Sequence, residues 1–283
     1  MLILKIFFLL LCSLLNSRQK KDLCIDALRL IMIAELAVIG GLGFEPGGLT
    51  DEINTPYGIV KFWRTRFKGQ RIIFIPRHSE FHVPPHRINY RAVIWAIKTL
   101  GLERIIATNT VGTMNNHPIG CFFIPQDFVE FTKCRLYTFY EEKAVHVDMS
   151  QPYCPQLRSC LIETLCSLGF EPYQGVYVCT EGPHLESPAQ IRMFRQFGDV
   201  VGMTGYPEMI LAKELELCYA SLCIVTNHAS GMKSEKQGSI VNEISISMKG
   251  MGKTLEEIIS STSRTLKEER SCNCKRALVD AKL

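Results

Sequence analysis

Five short polar or glycine-rich segments hold most of the residues able to do chemistry. They are Gly40-Gly41-Leu42-Gly43, Arg77-His78, Asn109-Thr110-Val111-Gly112, Met203-Thr204-Gly205 and Asn227-His228-Ala229-Ser230-Gly231. Each follows or closes a short apolar run. Ligands of α/β sheets bind outside the carboxyl ends of the strands, so five such segments imply one composite binding site. The plainer alternative is that they are only tight turns. Several familiar chemistries are excluded. Gly41-x-Gly43 lacks the third glycine of a dinucleotide fingerprint, because Pro46 stands there, and no acidic residue is placed for a ribose. There is no Walker loop. His78, His82 and His86 recur every four residues like metal ligands on a helix, but Pro84 and Pro85 interrupt that helix and spoil the common face. No metal site is expected.

The elements that must position these residues alternate. Leu36 to Ile39, Arg71 to Ile75, Arg104 to Thr108, Gly175 to Cys179, Val200 to Met203 and Ala220 to Thr226 read as strands. Helices are expected over Tyr90 to Leu100, with Asn89 as N-cap and Gly101 at the C-terminal cap, and over Leu157 to Leu168, Pro188 to Phe197 and Pro207 to Glu216. A long polar-faced helix, Leu255 to Glu269, closes the chain. That order means an α/β fold around a largely buried sheet, and no linker or repeat divides it.

Composition bounds the rest. In 283 residues, 47% hydrophobic and 21% charged content is ordinary for a globular chain and ample for one large domain. The formal net charge of +4 sits partly in Arg18, Lys20, Lys21, Lys275 and Arg276, so it describes no nucleic-acid footprint. Met1 to Leu15 is apolar but too short to span a membrane, and the basic Arg18 to Lys21 follows without a clean cleavage pattern. Residues 1–31 read as an extension outside the fold, with export or anchoring the alternative, and residues 32–283 as the domain. The twelve cysteines include no Cys-x-x-Cys, and Cys160, Cys166, Cys179 and Cys223 lie in apolar-periodic segments, which suits reduced core thiols in a cytoplasmic protein. Cys272-Asn273-Cys274 is the one close pair. Two thiolates alone cannot close a tetrahedral zinc site, so an exposed pair or redox-sensitive clip is expected there.

Together with Asn89-Tyr90-Arg91-Ala92, Glu181-Gly182-Pro183 and Met203-Thr204-Gly205-Tyr206-Pro207-Glu208, the five segments resemble the trimeric purine nucleoside phosphorylase and methylthioadenosine phosphorylase family. The likeness runs from about Leu36 to Leu278 and is greatest to the methylthioinosine or 6-oxopurine branch. It implies a single α/β domain with a central mixed, partly barrel-like β-sheet flanked by helices. It also implies a homotrimer, and purine nucleoside and phosphate as substrates with no other cofactor.

The chemistry implied is phosphorolysis: phosphate attacks C1 of the ribose as the bond to the purine breaks, giving the free base and a ribose 1-phosphate derivative. The transition state is positive on the sugar and negative on the base, so the site must hold an anion and put donors on the purine. By resemblance, Arg77, His78, Thr110, Thr204 and the loop at Gly41 and Leu42 bind phosphate, and Met203 lies under the sugar. A structural arginine paired with a carboxylate is the alternative for Arg77. Asn227 would donate to O6 or N7 and Glu186 accept from N1, with Ala229 standing where the adenine-specific branch carries an aspartate. His146 would reach a neighbouring subunit's site, and Ile240, Val241 and Ile244 would receive a 5'-methylthio group. Leu42 departs from the family, which places Ser or Thr there, and losing that bond costs ~1 to 3 kcal/mol of phosphate binding. Methylthioadenosine phosphorolysis, or nucleoside binding without turnover, are the alternatives.

Overall fold

The computed structural model describes residues 36–41, 44, 46–79, 82–232, 239–267, 269–279 and 281. Leu42, Gly43 and the whole 1–31 extension lie outside them. Nine strands form one sheet: β1 (Leu36–Gly40), β2 (Leu49–Thr55), β3 (Gly58–Phe67), β4 (Gln70–Pro76), β5 (Arg104–Thr113), β6 (Phe122–Phe131), β7 (Tyr173–Thr180), β8 (Val200–Gly202) and β9 (Cys218–His228). Their order is β2-β3-β4-β1-β5-β8-β7-β6-β9, and β9 pairs back onto β5. Strands β5, β8, β7, β6 and β9 therefore close a five-stranded barrel, and β1, β4, β3 and β2 extend from it as an open wing. Parallel pairs (β1 with β4 and β5, β5 with β9, β7 with β6 and β8) mix with antiparallel ones. This is the mixed, barrel-like α/β sheet expected.

Among the described residues six helices flank the sheet: α1 (Tyr90–Thr99), α2 (Pro155–Ser167), α3 (Pro188–Phe194), α4 (Glu208–Glu214), α5 (Ile240–Met248) and α6 (Met251–Thr265). Asn89 caps α1 by accepting from the Ala92 amide at 3.1 Å, and Gly101 beyond its end takes a positive φ of 76°. Ser187 and Gln190 form a capping box that starts α3. The main core includes Leu36, Val38 and Phe74 of the wing, Ile106 and Leu222 of the barrel, and Leu255, Ile258 and Ile259 of α6, all buried. Among these residues no helix is long and apolar enough to cross a membrane.

The structure adds three strands to the six read from the sequence. Strand β2 alternates about exposed and half-buried positions and offers no apolar run, and β3, antiparallel to it, finishes a hairpin whose outer face is wet. Strand β6 carries Pro125 at an irregularity in its pairing with β7, the position in a sheet that tolerates a missing donor. Helix bounds also shift. Helix α6 begins at Met251, just after left-handed Gly250, and stops at Thr265 because Leu266 is extended. Helix α4 begins at Glu208, with Pro207 before its first turn, and α3 ends at Phe194.

The cysteines need two corrections. Cys166 is exposed, whereas Cys160, Cys179 and Cys223 are buried as expected. Cys272 and Cys274 are buried, not exposed, in the core beside Cys154 and Cys218.

Candidate active site

Strand register brings the polar segments together. Gly40 pairs with Pro76 in the parallel β1–β4 ladder, so the chain leaves both strands at one level, and the Arg77 amide donates to Gly40 O at 3.0 Å. Gly112 of β5 stands opposite Asn227 of β9 across an irregularity after Val111, and also opposite Val201 of β8. A Cβ on Gly112 would lie 3.0 Å from Asn227 Nδ2, so glycine makes room for that side chain. Cys179 of β7 pairs with Gly202 of β8, which sets the Glu181–Glu186 loop beside Met203 and Thr204.

One cleft results, and its lining includes Gly41, Arg77, His78, Thr110, Glu186, Met203, Thr204, Asn227, Ala229 and Ile240. Of the side chains singled out in the sequence, His146 is not among the lining residues of its own chain's cleft. It is exposed, and its backbone amide donates to Ala281 O at 2.7 Å. Ile244 also lines the cleft, but Val241 is not on the lining and is 64% exposed, which removes it from the apolar patch expected on α5.

Arg77 does two things at once. Its Nε and Nη2 donate to the two oxygens of Glu208 at 2.6 and 3.1 Å, and Nη1 donates to Thr108 O at 2.7 Å. Burial alone would lower the guanidinium pKa, but the Glu208 carboxylate more than reverses this, so the cation is locked on. Tyr219 donates to Glu208 Oε2 at 2.8 Å and completes the carboxylate's shell. Part of the arginine fork is thus closed on Glu208, as the structural alternative required, while the guanidinium keeps further N–H bonds and lines the cleft. Glu208 stood in the quoted Tyr-Pro-Glu segment, yet nothing local marks an acid in a helix's first turn as more than favourable to the helix dipole.

Beside Arg77, His78 Nδ1 lies 2.8 Å from Val83 O. A carbonyl only accepts, so Nδ1 carries the proton. Burial holds the His78 pKa below that of free histidine despite this bond, so Nε2 of the neutral ring is an acceptor. Thr204 donates from Oγ1 to Asn109 Oδ1 at 2.9 Å, and Asn109 in turn donates to Ser221 Oγ. The Thr204 and Gly205 amides both donate to the Tyr177 hydroxyl at 3.3 Å, which pins the turn after β8. Gly202 must lack a side chain because a Cβ would fall 2.4 Å from that hydroxyl. Thr108, Tyr177 and Tyr219 are positioning groups that sequence reading missed, because each acts through contacts remote in the chain, and Asn109, named among the polar segments, acts through Thr204 and Ser221.

Elsewhere on the lining, Glu186 Oε1 accepts from Thr180 Oγ1 at 2.5 Å in a buried setting. Asn227 Nδ2 donates to His228 O at 2.9 Å, and its Oδ1 accepts from Thr226 at 3.0 Å. The cleft lining thus combines a cation, hydroxyls, a carboxylate, an amide and two isoleucines.

Residues 35–260 match the phosphorylase superfamily. The chain belongs to that superfamily. The match spans every cleft residue named above and stops short of Cys272 and Cys274. The chain is 47% identical over 246 residues to a probable S-methyl-5'-thioinosine phosphorylase of Methanosarcina acetivorans, covering 86% of this chain and 95% of the relative. It is 44% identical over 263 residues to the 6-oxopurine nucleoside phosphorylase of Pyrococcus furiosus, covering 87% and 98%. Among solved structures, methylthioadenosine phosphorylase from Schistosoma mansoni in complex with adenine aligns with a TM-score of 0.81 at 25% identity, covering 88% of this chain and 99% of that one. The superfamily's fold is thus shared across nearly the whole described chain.

Proposed function

We propose that the protein is a pentosyltransferase that cleaves 6-oxopurine nucleosides by phosphorolysis, 5'-methylthioinosine foremost. The observation that carries this reading is the joint presence of Arg77, Glu186 and Asn227 on the lining of one cleft. Arg77 and Thr110 form the anion end, where phosphate is held for attack on C1 of the ribose, and Thr204 joins them when its hydroxyl turns from Asn109 Oδ1 to the phosphate. In this reading Met203 lies against the sugar, and electrons of the broken glycosidic bond pass to the purine. Asn227 donates to the base as that charge grows. Glu186 accepts from the N1 proton that a 6-oxopurine has and adenine lacks. Ile240 and Ile244 suit a methylthio group better than a hydroxyl.

Names of relatives support the substrate class: two of the most similar are termed probable S-methyl-5'-thioinosine phosphorylases, from Methanosarcina acetivorans and Methanopyrus kandleri. The neighbouring schistosome structure with bound adenine favours methylthioadenosine as the second reading. We extend the proposal to a homotrimer in which His146 completes the site of the adjoining chain, with phosphate as co-substrate and no other cofactor. Chromatographic detection of free base, with and without phosphate, tests the reaction. Release of base without phosphate would contradict it.

A further inference from the structure

At the opposite end of β9 from Asn227, four buried cysteines meet. Cys154, Cys218, Cys272 and Cys274 offer sulfur atoms that all lie within 4.8 Å of one another, and Cys218 Sγ and Cys272 Sγ are 3.4 Å apart. Cys218 opens β9 and Asn227 stands near its end, ~30 Å apart at the ~3.3 Å rise of a strand residue, and none of the four cysteines lines the cleft. The cluster therefore takes no part in the chemistry described above.

We propose that these four cysteines form a structural tetrathiolate site for a zinc-class divalent metal, which fastens the carboxy-terminal tail to the barrel. A tetrahedron with zinc–sulfur bonds of ~2.3 Å has sulfur–sulfur edges of ~3.8 Å, which the 3.4 Å contact and the 4.8 Å outer limit both accommodate. Four soft, buried donors of one kind make a closed set with no open position for substrate, as structural zinc sites do.

The surroundings are built for thiolates. Cys154 sits at the N-terminus of α2, where the Leu157 amide donates to its sulfur at 3.5 Å. Arg270 Nη1 donates to Cys218 Sγ at 3.9 Å while also holding Glu216 O at 2.8 Å, and its guanidinium pairs with Glu103 at 3.2 Å. That cation lies where the net negative charge of a metal–tetrathiolate unit would need it. Two backbone bonds fix the first two ligands before the tail arrives: Cys154 N to Tyr219 O and Cys218 N to Glu103 O, both 2.8 Å. The short 3-10 turn at Asn273–Arg276 then supplies Cys272 and Cys274 together. A groove lined by Pro155, Gln156, Ser271 and Cys272 gives a path for the ion.

Disulfides would use the same sulfurs differently. A disulfide joins sulfurs two at a time in one of three pairings, whereas a tetrahedral metal uses all four of these mutually close sulfurs alike.

The test needs only the full-length protein purified under reducing conditions and dialysed against EDTA. Elemental analysis should find about one zinc per chain, released by a mercurial thiol reagent. Exchange with cobalt(II) should give sulfur-to-cobalt charge transfer and the visible bands of a tetrahedral ion. The double variant Cys272→Ser/Cys274→Ser should lower cobalt affinity at least tenfold, while Cys166→Ser, at an exposed cysteine outside the cluster, should leave it unchanged. Metal-free protein that takes up no cobalt(II) would overturn the proposal, and so would peptide mapping that finds these cysteines joined in disulfides. Both are read on the unmodified chain, so a misfolded variant does not decide the matter.

Discussion

Arg77 and Glu208, 131 residues apart in sequence, meet in a two-point ion pair of 2.6 and 3.1 Å with both side chains essentially buried. The pair joins the end of β4 to the first turn of α4 and fixes the guanidinium at the cleft. A buried charge left without its partner is costly, so Glu208→Gln should destabilise the fold by about 3–5 kcal/mol. It should also raise the phosphate concentration needed for half-maximal rate. Denaturant unfolding and phosphate titration check the two effects. A variant that unfolds like the parent would mean the pair contributes little.

His78 gives a pH dependence with a definite sign. Burial depresses its pKa in the free protein, so near neutrality Nε2 is an acceptor on a residue that lines the cleft. A bound phosphate favours the imidazolium and raises that pKa, so binding takes up a proton. The His78 contribution to phosphate affinity should therefore grow as pH falls through the raised pKa, superimposed on phosphate's own protonation, and His78→Gln should lose this component. Identical pH profiles for the two proteins would place His78 outside phosphate binding.

Leu42→Ser should lower the phosphate requirement without altering base preference, because it adds a hydroxyl donor next to Gly41, whose own amide is held by Thr108 Oγ1 at 3.0 Å. The gain corresponds to a hydrogen bond of ~1 to 3 kcal/mol and should show chiefly at low phosphate. An unchanged phosphate titration in a folded variant would mean that the loop does not touch the anion.

Ile244→Asn should reduce selectivity for a 5'-methylthio over a 5'-hydroxyl nucleoside by about tenfold, the scale on which apolar pockets discriminate a small group. Val241→Asn, at an exposed position on the same helix, should leave the ratio unaltered. Comparing methylthioinosine with inosine in the two variants measures the difference.

Much of the fold was legible because its signals are local. The Asn89 cap, Gly101 and the apolar cores of β1, β4 and β9 are each dictated by neighbours a few residues away. The β2–β3 hairpin was not, because a strand with neither face fully buried shows polar alternation instead of an apolar run. In the site, the segments at strand ends announced themselves by residue type. What they touch did not: Glu208 lies far from Arg77 in sequence, and Asn109 commits the Thr204 proton from a strand 95 residues away. Cys272 and Cys274 look like a lone exposed pair until the fold sets Cys154 and Cys218 beside them.

The central claim is that Glu186 and Asn227 select a base with a proton on N1. A carboxylate facing the N1 lone pair of adenine is left desolvated and unpaired, and sites of this kind reject the mismatched analogue by as much as ~10⁴-fold. Parallel kcat/KM measurements on 5'-methylthioinosine and 5'-methylthioadenosine, with the unmodified protein and with Glu186→Gln, test it most directly. The account predicts strong preference for methylthioinosine in the unmodified protein and erosion of that preference in Glu186→Gln. Preference for methylthioadenosine in the unmodified protein would contradict it.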